Sequence, residues 1–132
     1  MADSDDHSDS RDGASVLITG GAGGLGGAVT EAFLADGWRV VVPLRDPERA
    51  AALYERPAVA AARDRLQLVA ADLFEPEPVA GAAAAAGGDA RAPLRAVVNL
   101  VGGFAADGRV HETPIEDFER QFRLNLRPTY LV

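Results

Sequence analysis

The sequence predicts an α/β fold: a doubly wound parallel sheet with strand order 3-2-1-4 and helices on both faces. Three observations carry this. Apolar runs of strand length alternate with helical patterns four times between residues 14 and 132, and such alternation marks a parallel sheet. Val16-Leu17-Ile18 and Val40-Val41-Val42 are continuous apolar runs, as in strands buried on both faces. Between the first run and the first helical pattern, residues 20–26 hold five glycines in seven positions. Right-handed crossovers then set the order 3-2-1-4, with a switch point between strands 1 and 4.

Each element has its own signal. Residues 14–19 form strand 1. The helix after the glycine loop carries Leu25, Ala28, Val29, Ala32 and Phe33 at helical spacing, and Gly37 closes it with a left-handed cap. Residues 38–44 form strand 2, with Pro43 expected at its end because it lacks an N–H. Asp46-Pro47-Glu48 reads as N-cap, first-turn proline and acid. The helical stretch that follows runs to about Arg56, and Pro57 breaks it before a short piece ending near Arg63. Residues 66–70 form strand 3. Pro76 and Pro78 open a helix through the Ala82–Ala86 run, where alanine favours helix, and Gly87-Gly88 end it. Residues 94–101 form strand 4, an exposed edge. Thr113-Pro114-Ile115-Glu116 reads as a capping box. The last helix places Ile115, Phe118, Phe122 and Leu126 along one face, with a kink at Pro128.

Composition narrows the function. A chain of 132 residues suffices for one domain with a core. The net charge of −7 argues against a nucleic-acid surface. Four of those charges fall in residues 1–12, where five Asp are offset by Arg11 alone. Residues 1–13 read as a disordered acidic tail, and His7 among its Asp residues as solvated rather than metal-binding. No cysteine is present, which excludes disulfides and thiolate metal sites. The N-terminus lacks a signal-peptide pattern, and no apolar run reaches 18 residues. The expectation is a cytoplasmic protein. All thirteen basic residues are Arg, with no Lys.

The glycine loop carries the chemistry. A strand, a tight glycine turn and a helix N-terminus together cradle a dinucleotide pyrophosphate. Glycines let backbone N–H groups approach the phosphates, and the helix dipole adds partial positive charge. A lone glycine pattern is weak evidence, so the flanking strand and helix and a second strand about 20 residues on must support it.

Four segments together resemble the short-chain dehydrogenase/reductase family, single-domain branch. They are Thr19-Gly20-x-x-x-Gly24-Leu25-Gly26, Asp72-Leu73, Val98-Asn99-Leu100-Val101-Gly102, and residues 116–125 with Leu126-Arg127-Pro128-Thr129. The spacing Gly20-x-x-Gly23-x-x-Gly26 also fits the family's extended branch; the Asn99 segment and last helix favour the single-domain one. The resemblance spans residues 14–132 and implies a Rossmann-type fold, here stopping before the fifth strand. It implies that Gly20, Gly23, Gly24, Leu25 and Gly26 contact the pyrophosphate. Asp72 would accept from the adenine amino group and Leu73 flank the ring. Asn99 and Gly102 would line the adenosine and nicotinamide-ribose side. Asn125 would be the catalytic and structural Asn that holds a relay water.

Cofactor choice turns on the end of strand 2. The position that would carry a carboxylate for NAD holds Leu44, and Arg45 follows. A guanidinium suits the 2′-phosphate, so the expected cofactor is NADP rather than NAD. The family's Ser and Tyr-x-x-x-Lys are absent: Tyr130 lies too close to Asn125, Tyr54 lies on the helix after strand 2, and there is no Lys. The expected function is therefore the N-terminal cofactor-binding part of an oxidoreductase acting on a carbonyl or alcohol, inactive as given. The alternative is a non-catalytic nucleotide-binding or regulatory module of the same origin. A full-length parent is expected to form a homo-oligomer, with Phe118 and Phe122 serving either an interface or the core.

Overall fold

Val16, Leu17 and Ile18 have essentially no exposed surface, because the strand that carries them is covered on both faces. That strand, β1 (Ser15–Thr19), is the middle of a four-stranded parallel sheet in a computed structural model that describes residues 13–106 and 108–132. The order is β3-β2-β1-β4, with β2 Arg39–Leu44, β3 Leu66–Ala70 and β4 Leu94–Asn99. The expected order is therefore the observed one. The expected acidic tail, residues 1–13, lies outside those described except for Gly13, and His7 lies outside them with it.

Period-two alternation divides the core into two layers. On one face Val16, Ile18, Val40 and Val42 pack with Leu34, Leu53 and Val59. These come from α1 (Gly24–Ala35), α2 (Ala51–Tyr54) and α3 (Pro57–Ala61). On the other face Leu17 and Val41 pack with Ala86, and Val69, Leu94 and Val132 close around them. Ala86 lies on α4 (Pro76–Gly87), and Val132 follows α5 (Ile115–Leu131). Each fully buried Val, Leu or Ile contributes about 1.5–3 kcal/mol, so this double-sided burial dominates the fold.

Local chemistry sets the ends of the elements. Gly37, at φ 87°, takes the left-handed cap expected of it. Its N–H donates to the Leu34 carbonyl, and the Trp38 N–H donates to Phe33, which is the Schellman pattern. Asp46 accepts from the Glu48 N–H at 3.0 Å, as an N-cap should.

Three expectations need correction. Pro43 lies within β2, opposite Val69, rather than at its end. The pairing with β1 has already stopped at Leu17↔Val41, so Pro43 sits where β2 pairs on one side only and its missing N–H is tolerated. β4 ends at Asn99, two residues early, where β1 also ends. Thr113 forms no capping box: the N-cap is Pro114, without a side-chain cap, and the Thr113 hydroxyl donates to the Arg109 carbonyl. A 3-10 turn at Val110–Glu112 competes for the threonine. The α5 apolar row, expected to serve either an interface or the core, stands open, with Phe118 and Phe122 60% and 58% exposed. The helix reaches Leu131, as expected, with Pro128 inside it. β4 is the open edge expected, with Arg95, Val97 and Asn99 alternating outward. No described helix is long and apolar enough to cross a membrane.

Arg39 ties the N-terminal edge of the sheet together. Its guanidinium donates to Ser15 Oγ on β1, Gln67 Oε1 on β3, and the Ala85 and Ala86 carbonyls at the end of α4. Ser15 Oγ in turn donates to the Ala92 carbonyl at 2.6 Å. A cation suits a helix C-terminus, and it satisfies carbonyls that the helix leaves open. Arg39→Ala should therefore destabilise the fold by about 1–3 kcal/mol, read as a thermal midpoint lower by about 4 °C or more. An unchanged midpoint would show that water replaces the guanidinium without cost.

Candidate functional site

All four strands are parallel, so their C-terminal ends lie along one edge of the sheet. β1 sits between β2 and β4, and the chain leaving β1 must turn at once to start α1 on the covering face. Gly20 makes that turn at φ 69°, in the left-handed region. The Gly23 N–H donates back to the Gly20 carbonyl at 3.0 Å. A Cβ on Gly26 would stand 1.8 Å from that same carbonyl oxygen. The loop therefore folds so tightly on the first turn of α1 that no side chain fits between them.

Two residues outside the expected set fasten this loop. The buried Thr30 hydroxyl donates to the Gly21 carbonyl at 3.0 Å. A Cβ on Gly21 would meet Val42 at 2.8 Å and Thr30 at 2.9 Å. Nothing local marks Thr30 in the sequence; its role follows from α1 returning over the loop. Gly23 is the N-cap of α1 and offers no side-chain oxygen. The first N–H groups of the helix are thus left for an outside acceptor, the arrangement that binds phosphate. Leu25, one residue into the helix, is 69% exposed beside them.

The end of β4 closes against this loop. Thr19 Oγ1 donates to Asn99 Oδ1 at 3.3 Å and accepts from the Leu100 N–H at 3.1 Å. A Cβ on Gly20 would lie 3.0 Å from the Leu100 carbonyl. Thr19, missed as a site residue, is the stitch across the switch point. Beyond it, Asn125 on α5 grips the loop after β4. Its Oδ1 accepts from the Gly103 N–H, and its Nδ2 donates to the Gly103 carbonyl, both at 3.0 Å. Nδ2 also donates to the Gln121 carbonyl at 2.9 Å. A Cβ on Gly102 would stand 2.6 Å from Asn125 Oδ1 and push that amide off the loop. Both ends of the Asn125 amide are committed to holding this loop.

Arg45 and Asp72, at the ends of β2 and β3, meet each other. Arg45 Nη2 lies 3.3 and 3.4 Å from the two Asp72 oxygens. Asp72 Oδ1 also accepts from the Phe74 N–H at 3.0 Å. That backbone hydrogen bond holds the Asp72 carboxyl below its ordinary pKa, helped by Arg45 and the Arg123 charge and opposed by partial desolvation. Arg127 Nε donates to the Phe74 carbonyl at 2.8 Å, so α5 reaches this corner too. Leu73 points into the protein, 7% exposed, unlike the exposed Leu25.

The site thus gathers Gly20, Gly23, Gly24, Leu25 and Gly26 with Asn99 and Gly102 on one side of β1, and the Arg45–Asp72 pair on the other. A cradle that a single Cβ would fill, beneath an uncapped helix start, fits a dinucleotide pyrophosphate. Gly26→Ala should cost on the order of 3 kcal/mol or more, because backbone and not a flexible side chain blocks the new methyl. Gly24→Ala meets nothing within 4 Å and should leave stability within about 1 kcal/mol or raise it. Denaturant unfolding of the two variants distinguishes them, and equal effects would contradict the cradle.

Residues 14–132 match the sequence model of the short chain dehydrogenase family. No curated protein matches the sequence. Among solved structures, a short-chain type dehydrogenase/reductase from Mycobacterium marinum superposes with a TM-score of 0.75 at 24% identity, covering 92% of this chain and 47% of its own. "ElxO with NADP Bound" superposes with a TM-score of 0.74 at 26% identity, covering 89% of this chain and 46% of its own. A 3-ketoacyl-(acyl-carrier-protein) reductase from Brucella melitensis, complexed with NADH, gives a TM-score of 0.71 at 28% identity, covering 92% and 48%. The chain spans less than half the length of these relatives. With the glycine cradle, the Asn99 switch point and the 3-2-1-4 sheet in place, the chain belongs to the short-chain dehydrogenase/reductase family.

Proposed function

We propose that this chain is the cofactor-binding part of an NADP(H)-dependent oxidoreductase acting on a carbonyl or alcohol substrate in the cytoplasm. The observation that carries the reading is the Cβ-intolerant glycine cradle at the β1/β4 switch point, with Arg45 at the end of β2. Similar structures hold NADP in one case and NADH in another, so the preference for NADP rests on Arg45. The first-turn N–H groups of α1 hold the pyrophosphate. Arg45 pairs with the 2′-phosphate through its guanidinium. Asp72 accepts from the adenine amino group and Leu73 bounds the ring from beneath. Asn99 and Gly102 line the ribose side. Asn125 keeps the loop after β4 in place and so shapes the catalytic end.

The nicotinamide, when bound, supplies or takes up the hydride. The substrate carbonyl also needs a proton, and residues 1–132 hold no Tyr-x-x-x-Lys to deliver it. The parent protein supplies that pair, and it assembles as a homo-oligomer through the exposed Phe118–Phe122–Leu126 row of α5. The second reading, a nucleotide-binding module of the same origin that performs no reduction, has the open β4 edge against it. An in-frame Ser and Tyr-x-x-x-Lys beyond Val132 in the genomic DNA supports the first reading, and a stop codon there supports the second.

Two outcomes test the assignment. In calorimetric titration NADPH should bind more tightly than NADH, and Arg45→Ala should weaken NADPH selectively by about tenfold. Equal affinities, or an Arg45→Ala effect shared by both cofactors, refute the NADP preference. Residues 1–132 with NADPH should show no carbonyl reduction above background. Measurable turnover would mean that a proton donor other than the Tyr–Lys pair is at work.

A further inference from the structure

Arg45 has a partner before any cofactor arrives. The contact is a loose one. A single nitrogen, Nη2, spans both Asp72 oxygens at 3.3 and 3.4 Å, the long end of hydrogen-bonding distance. It is not the parallel two-nitrogen fork that makes Arg–carboxylate pairs strong. The Arg45 side chain is 72% exposed and that of Asp72 39%. Asp72 has other holds: its Oδ1 takes the Phe74 N–H at 3.0 Å, and the Arg123 charge on α5 acts on it. Arg45 can therefore swing away and leave the carboxylate both hydrogen-bonded and electrostatically compensated.

We infer that Asp72 is a specificity-determining residue that competes with the cofactor's 2′-phosphate for Arg45. The inference rests on the proposed placement of the dinucleotide with its ribose beside Arg45. A 2′-phosphate is a dianion presenting several oxygens, and it draws the guanidinium off the carboxylate. A neutral 2′-hydroxyl cannot, so with NADH bound the Arg45–Asp72 pair persists. Asp72 thus moderates the preference for the phosphorylated cofactor: NADPH must break the pair, and NADH leaves it alone. Screening by salt weakens the pair, and exposure keeps it easily exchanged.

Isothermal titration of the chain with NADPH and NADH tests this, with adenosine 2′,5′-bisphosphate and 5′-AMP isolating the phosphate. Asp72→Asn keeps an Oδ1 acceptor for the Phe74 N–H, and Asp72→Ser is a second variant that also keeps a short oxygen there. Any loss of the adenine contact should weaken both cofactors alike, while release of Arg45 should raise the NADPH-to-NADH affinity ratio by about three- to fivefold, the scale of an exposed ion pair. The bisphosphate and 5′-AMP should show the same split. In an Arg45→Ala background most of that gain should vanish. A selectivity that stays the same or falls in both Asp72 variants overturns the inference. So does a gain that survives in full without Arg45, which would be charge repulsion alone. If Arg45→Ala weakens NADPH while the Asp72 variants leave selectivity unchanged, the competition is rejected and the cofactor reading stands. If Arg45→Ala leaves NADPH untouched, the cofactor reading falls and the competition with it.

Discussion

The backbone of the loop after β1 passes so close to the first turn of α1 that Gly26 leaves no room for a Cβ. Most of the site depends on that approach. It brings the helix start to the edge of the sheet with its N–H groups uncapped. It sets Gly20 against the Leu100 carbonyl, which aligns the end of β4. It also buries Gly21 under Val42 and Thr30, so the loop is pinned to the same core that holds the sheet. Local backbone geometry and tertiary packing are one constraint here, because a shift in either places a side chain or a carbonyl in occupied space.

The two ends of the sheet use arginine differently. At the N-terminal end Arg39 reaches two strands and two helix carbonyls through both of its terminal nitrogens. At the C-terminal end Arg45 is mostly exposed and touches Asp72 through one nitrogen. The first arrangement stiffens the fold; the second leaves a cation available. The contrast follows from the topology. Parallel strands place the loops that carry ligands at their C-terminal ends, and helices such as α4 return their own C-termini to the opposite edge.

Much of the architecture was legible because the signals are local and agree with one another. Val16-Leu17-Ile18 and Val40-Val41-Val42 could only be two-sided strands, and Gly37 and Asp46 marked ends that the backbone confirms. The errors came where two local signals compete or where distant parts decide. Thr113 had the residues of a capping box, yet the preceding 3-10 turn offers its hydroxyl the Arg109 carbonyl. Pro43 read as a strand terminus, since its tolerance inside β2 depends on where the pairing with β1 stops. For Phe118 and Phe122 the spacing left interface and core both open, and they stand exposed, because a helix pattern states which residues share a side and not what lies against it.

By itself the sequence determined the element order, the strand order, the glycine loop and the family resemblance, since periodicity, turn residues and handedness are properties of neighbouring residues and of chain connectivity. Only the tertiary structure decided what the loop residues do to one another. Thr19 bridging to Asn99, Thr30 holding Gly21 and Asn125 gripping Gly103 link positions between 9 and 80 residues apart. Arg45 and Asp72 could each be nominated from the chain, one for a phosphate and one for an adenine. That they hold each other, across the ends of neighbouring strands, follows from the pairing of β2 with β3. Such contacts depend on distances that exist only once the sheet has formed.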